Sequence, residues 1–164
     1  MVKKLLLALI LSIPSMAFAQ KFGVINTEAL IAELPQVQEV QATIEASSQR
    51  YQAEFQKLKS EFDKKYTEFQ QLDNGTPQVI RERRLQEIQE LDQKINQFRK
   101  TVTEDLQRQE NELMEPIRKN VTAAIQSVGI DGDFIIIFEN TPTVYTRSDV
   151  VDVTPLVKAK LGVE

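Results

Sequence analysis

The sequence predicts an α+β fold: a small β-rich body built from both ends of the chain, carrying one long antiparallel helical hairpin. Three observations predict it. Apolar side chains recur every seven residues from Leu34 to Leu72. One strong turn signal, Asp73-Asn74-Gly75-Thr76-Pro77, lies near the centre of the 164 residues. Short β-prone runs, Phe22 to Ile25 and Phe134 to Phe138, lie outside the helical middle.

Residues 1–19 read as a secretory signal. Lys3 and Lys4 make a positive start, Leu5 to Ile13 a short apolar run, and Ala17-Phe18-Ala19 the small-residue pattern before a cut ahead of Gln20. That run is too short for a bilayer span, which takes about 20 residues. Residues 20–35 and 128–164 are expected to form the β-rich oligomerisation body. In it, Phe22-Gly23-Val24-Ile25 is the first strand, and Thr27 is placed to cap a helix starting at Glu28.

Residues 36–127 are expected to form the hairpin arm, with its tip at 73–77. On the outgoing helix one seam position holds Leu34, Gln41, Ser48, Phe55, Phe62 and Phe69, and its partner holds Val37, Ile44, Tyr51, Leu58, Lys65 and Leu72. Nine of these twelve are apolar or aromatic, so a coiled-coil helix outweighs a strand or loop. The return helix keeps the seam through Ile88, Leu91, Ile95, Phe98 and Val102, then resumes four residues later at Leu106. Such an offset is a stutter, which locally unwinds a supercoil. Beyond the arm, Phe134 to Phe138 reads as a buried strand, with Thr143 to Thr146 as its hairpin partner. Thr154-Pro155 opens a short final helix.

Composition excludes several classes of function. With no Cys and no His, thiol nucleophiles, His-based triads and Cys/His zinc sites are absent, and no cofactor is expected. No phosphate-binding GxxxxGK loop occurs. Once the signal is removed, 18 basic face 24 acidic side chains, a net charge of −6 that disfavours nucleic acid. The 53 residues of the body are few for a self-sufficient core, so self-association is expected.

Two terminal stretches resemble the Skp/OmpH family of periplasmic chaperones. One is Lys21-Phe22-Gly23-Val24-Ile25-Asn26-Thr27-Glu28-Ala29-Leu30; the other runs from Ile135-Ile136-Ile137 through Tyr145 to Ser148-Asp149-Val150-Val151-Asp152-Val153-Thr154. The resemblance implies a homotrimer whose short strands join in a small β-barrel, with three helical tentacles around a cavity. It implies an ATP-independent holdase that keeps unfolded outer-membrane β-barrel proteins from aggregating in the periplasm. The alternative is a structural coiled-coil spacer of the cell envelope. An acidic pI near 5.1 departs from the strongly basic members of that family.

Val40 and Tyr66 fall off the seam and are the candidate client-binding residues. Pro35 and Pro116 lie 40 and 41 residues from Gly75 on opposite arms, and are read as a paired hinge near the body. Lys64, Lys65, Arg81, Arg83 and Arg84 near the tip offer at most a weak contact for lipopolysaccharide or a membrane surface, since acidic residues interleave them. Asp131-Gly132-Asp133 begins like a calcium loop, but its twelfth position is Pro142, so a turn is expected and no metal.

Overall fold

The computed structural model describes residues 21–140 and 149–163. The signal at residues 1–19 and the expected strand at Thr143 to Thr146 lie outside the described residues. The elements run β1 (Lys21–Ile25), α1 (Thr27–Ala32), α2 (Pro35–Gln70), α3 (Gln78–Asp131), β2 (Phe134–Glu139), β3 (Val151–Asp152) and α4 (Thr154–Leu161). The fold is α+β, as the seam and the terminal strands predict.

The chain divides into two compact units, one of residues 28–123 and one built from β1 and the segment after residue 123. In the first unit α2 and α3 are an antiparallel pair. Lys65 meets Glu87 across the pair at 2.9 Å, and Ser47 meets Gln109 at 3.1 Å. Val37, Leu58, Ile88, Leu91 and Ile117 are buried along the seam, each stabilising by about 1.5–3 kcal/mol. The tip is closed locally. The Asp73 carboxylate accepts the Gly75 N–H at 3.1 Å, and the Arg81 guanidinium donates to the Asp73 carbonyl.

In the second unit β1 is the central strand of a three-stranded sheet ordered β2-β1-β3, and both its neighbours run parallel to it. The long helical segment between β1 and β2 supplies the crossover that a parallel pair needs. The register pairs Phe22 with Ile136 and Val24 with Phe138, after an irregularity between Lys21 and Phe22. Side chains alternate across the sheet. Gly23, Ile25 and Ile137 therefore share one face, and Phe22, Val24, Ile136 and Phe138 share the other.

The first face is covered. A Cβ on Gly129 would meet Ile137 at 3.6 Å, and one on Gly23 would meet Val153 at 3.0 Å. Val153 and Val157 are fully buried. The second face is partly open: Ile136 keeps 45% and Phe138 51% of its surface exposed, while Phe22 and Val24 are half-buried. The third described strand, Val151–Asp152, was not expected from sequence, since a run of two residues carries no periodicity.

Both short helices are capped from outside, which corrects the local caps expected at Thr27 and Thr154. α1 begins at Thr27 itself, and the Glu139 carboxylate at the end of β2 accepts the Thr27 N–H at 2.8 Å and its hydroxyl at 2.5 Å. Asp152 accepts the Thr154 N–H at 2.9 Å, while the Thr154 hydroxyl oxygen faces the Asn26 N–H at 3.4 Å. Carboxylates at helix starts satisfy orphan donors and complement the helix dipole.

α3 runs to Asp131, four residues beyond the predicted end of the arm, and Asp131-Gly132-Asp133 turns it into β2. Asp133 adopts a left-handed conformation at φ 54°. Asp133→Gly should therefore stabilise the protein by about 0.5–1 kcal/mol, read as a higher urea midpoint at unchanged slope. Asp131 pairs with Lys160 at 2.8 Å, and that ammonium holds its carboxyl below the usual range. Among the described residues, no group of three or more acidic side chains is arranged to hold a metal ion.

Candidate functional site

Binding of an unfolded chain needs exposed apolar or aromatic surface on a rigid support. A long helical pair is such a support, so the question is which side chains its seam leaves outside.

Val40 is not one of them. It is only 8% exposed, and its placement off the seam is corrected here. Leu34, Val37 and Val40 are all buried at three-residue steps near the start of α2. A step of three turns 300°, so the buried stripe drifts back by about 60° each time and takes Val40 in place of the heptad position Gln41, which is exposed. Val40 instead floors a shallow groove of about 330 Å³ with Leu113, Pro116 and Ile117.

Tyr66 is exposed as expected, at 46%, and stacks on Phe62 with ring centroids 6.0 Å apart. It has company that the sequence reading missed. Val79, Ile80 and Leu85, in the first turns of α3, are 67%, 42% and 44% exposed. The Lys65–Glu87 bond sets Tyr66 and Leu85 at one level of the antiparallel pair. The available signal was three apolar residues close together and off the return seam.

Pro35 opens α2 at its first position, where a missing N–H costs no helical bond. Pro116 is different: α3 continues through it, and the Glu112 carbonyl loses its helical donor. Gln36, the residue after Pro35, lines the groove beside Pro116.

The basic residues near the tip are mostly engaged. Lys65, at a seam position, bonds Glu87, which Arg83 and Arg84 also approach at 3.3 and 3.2 Å. Arg81 is spent on the tip carbonyls of Asp73 and Thr76. The Lys65 hydrogen bond, joined by charge attraction from Lys65 and Arg84, holds the Glu87 carboxyl below its ordinary range. A carboxylate depressed on folding adds stability above its unfolded pKa, and loses it as pH falls through the folded value. Acidification below about pH 4 should thus loosen the distal hairpin. In Lys65→Met that part of the acid dependence should shrink, measured as Tm against pH.

The stutter has a structural counterpart. Between the cross-links Lys65–Glu87 and Tyr51–Asp105, α2 spends 14 residues and α3 spends 18. The extra four match the offset between Val102 and Leu106. Tyr51 spans the step, with its ring edge-on to Phe98 at 6.2 Å and its hydroxyl donating to the Asp105 carboxylate. Arg108 and Gln109 also donate to Asp105, and Ser47 donates to Gln109. A hollow of about 360 Å³ opens beside Tyr51, lined among others by Phe55, Phe98, Arg99 and Val102. The inward turn of Asp105 and Gln109 was not foreseen, because Leu106 satisfied the seam count.

No helix among the described residues is long and apolar enough to cross a membrane. A family model described as outer membrane protein (OmpH-like) matches residues 21–161. Among solved structures, a candidate outer membrane chaperone (OmpH-like) from Caulobacter crescentus aligns with a TM-score of 0.73 at 13% identity, over 87% of this chain and 83% of its own. At that identity the likeness is one of fold. No curated protein matches this sequence.

Proposed function

This chain belongs to the OmpH-like family, and from that premise we propose that it is a periplasmic, ATP-independent holdase for unfolded outer-membrane β-barrel proteins. The observation that carries the reading is the half-covered sheet. Phe22, Val24, Ile136 and Phe138 form an apolar face that one chain leaves partly open, with Ile136 and Phe138 exposed, beside a β2 edge with no described neighbour. Exposed apolar strands with an open edge are an aggregation hazard unless another copy covers them. A homotrimer closing these faces into a small barrel satisfies that need, and it brings three helical pairs around one cavity.

Inside such a cavity, Tyr66, Val79, Ile80 and Leu85 supply weak apolar contacts of the kind an unfolded membrane strand can use. Outer-membrane strands alternate apolar and polar side chains and expose unpaired backbone in water. Many weak contacts hold such a chain without nucleotide, and release follows when folding in the membrane is more favourable. Lipopolysaccharide has no part in this reading, since four of the five basic side chains near the tip already have protein partners.

The test is molar mass by light scattering on the mature protein, alone and mixed with a urea-diluted outer-membrane β-barrel. A mass of three chains, shifting by one client that stays soluble, is expected. A stable oligomer that leaves the client to aggregate would overturn the holdase reading in favour of an envelope spacer. Pro116 is the proposed hinge, with Pro35 marking the start of its facing helix. Pro116→Ala should narrow the distribution of distances between spin labels at the hairpin tips, and an unchanged distribution removes the hinge.

A further inference from the structure

We propose that the hollow at the stutter, beside Tyr51, is a receptor for a single aromatic side chain of an unfolded outer-membrane strand; this rests on the holdase reading and gives it a specific subsite. The hollow lies where Tyr51 reaches from Phe98 to Asp105, its ring edge-on to Phe98 and its hydroxyl donating to the Asp105 carboxylate. Ser48, the next seam position on α2, is too small to close the gap.

The lining selects the occupant. Tyr51, Phe55 and Phe98 contribute three aromatic rings to the lining, and Val102 supplies an aliphatic wall. Aromatic rings pair favourably at offset or edge-on geometry, beyond what burial alone contributes. Arg99 lines the same hollow, and among the described residues no carboxylate pairs with it. An unpaired guanidinium complements the negative face of an entering ring, whereas it gives nothing to an aliphatic side chain. The volume, about 360 Å³, is at the lower end of ligand pockets, suited to one side chain rather than a folded surface. Membrane β-strands carry aromatic residues near both ends, in the girdles that flank the apolar band. A receptor for one ring therefore recognises a feature repeated along such a client.

The experiment uses the full mature protein and a fluorescent strand-like peptide with one central Tyr, beside the same peptide with Ala in its place. Wild type should bind the Tyr peptide about tenfold more tightly, the combined effect of an aromatic pair and a cation–π contact. Ser48→Phe, which fills the hollow, and Arg99→Gln, which removes the cation from an exposed site, should each reduce that preference several-fold, with the Ala peptide unaffected. Circular dichroism checks the helices, and Arg99→Gln stands as the test if Ser48→Phe distorts them. Equal affinity of wild type for both peptides, or a preference left undiminished in both Ser48→Phe and Arg99→Gln, overturns the receptor. If wild type also keeps a urea-diluted β-barrel soluble, only the receptor falls; if it protects no client, the holdase reading falls with it.

Discussion

Ile136→Glu combined with Phe138→Glu is expected to convert the proposed trimer into single chains and to abolish protection of an unfolded β-barrel protein. Both side chains lie on the more open face of the sheet and are about half exposed in one chain. Each glutamate can therefore stay in water while the chain remains unassembled, and the helical pair should keep its far-ultraviolet signal. Assembly would bury six carboxylates against one another in a small apolar interior. Each unpaired buried charge costs several kcal/mol, so the equilibrium should move wholly to single chains. Light scattering reads the mass and turbidity the protection. An intact oligomer would show that the more open face is not the interface. Single chains that still protect a client would separate the holdase activity from the cavity.

Gly23→Val should destabilise the β-rich unit by about 2–3 kcal/mol. Gly23 is buried at the middle of β1, the strand on which both neighbours depend. A Cβ there would lie 3.0 Å from Val153, 3.1 Å from Ile137 and 3.3 Å from Phe134. Val153 cannot retreat freely, since it is fully buried and its N–H is bonded to the Val24 carbonyl at 2.9 Å. Valine suits strands, which offsets part of the cost, but its two methyls have no space. Val153→Ala alone should also destabilise, by opening a cavity. The double variant should be less damaged than the sum of the two, because the smaller side chain accommodates the larger. A double-mutant cycle by urea unfolding measures that coupling, and strict additivity would mean that the two positions do not share the space.

Much of this was legible from sequence where the signal is periodic and local. Tyr51, Phe55, Leu58, Phe62, Ile88 and Leu91 lie along the seam because a helix repeats its faces whatever else the protein does. Asp73 to Pro77 form the tip because their turn chemistry acts within a few residues. Tyr66 is exposed for the same reason: it sits off the stripe. Val40 was misplaced because the stripe steps by three at the start of α2, and a heptad count assumes a uniform helix. The candidate hollow at Tyr51 could not be drawn from the stutter alone, since its walls come from both helices.

The sequence by itself determined the α+β class, the two long helices, the turn between them, the opening strand and the likeness to the OmpH-like family, because each rests on spacing or on residues adjacent in the chain. Only the tertiary structure decided that β1 is central and flanked by two parallel strands, that Glu139 caps a helix expected to cap itself, that Asp105 and Gln109 turn inward, and which face of the sheet stays more open. The physical reason is separation. Glu139 and Thr27 stand 112 residues apart, and Tyr51 and Asp105 stand 54 apart. A pattern of apolar and polar residues says which side of an element turns inward, but the partner that a buried polar group meets is set by where the folded backbone brings the two together.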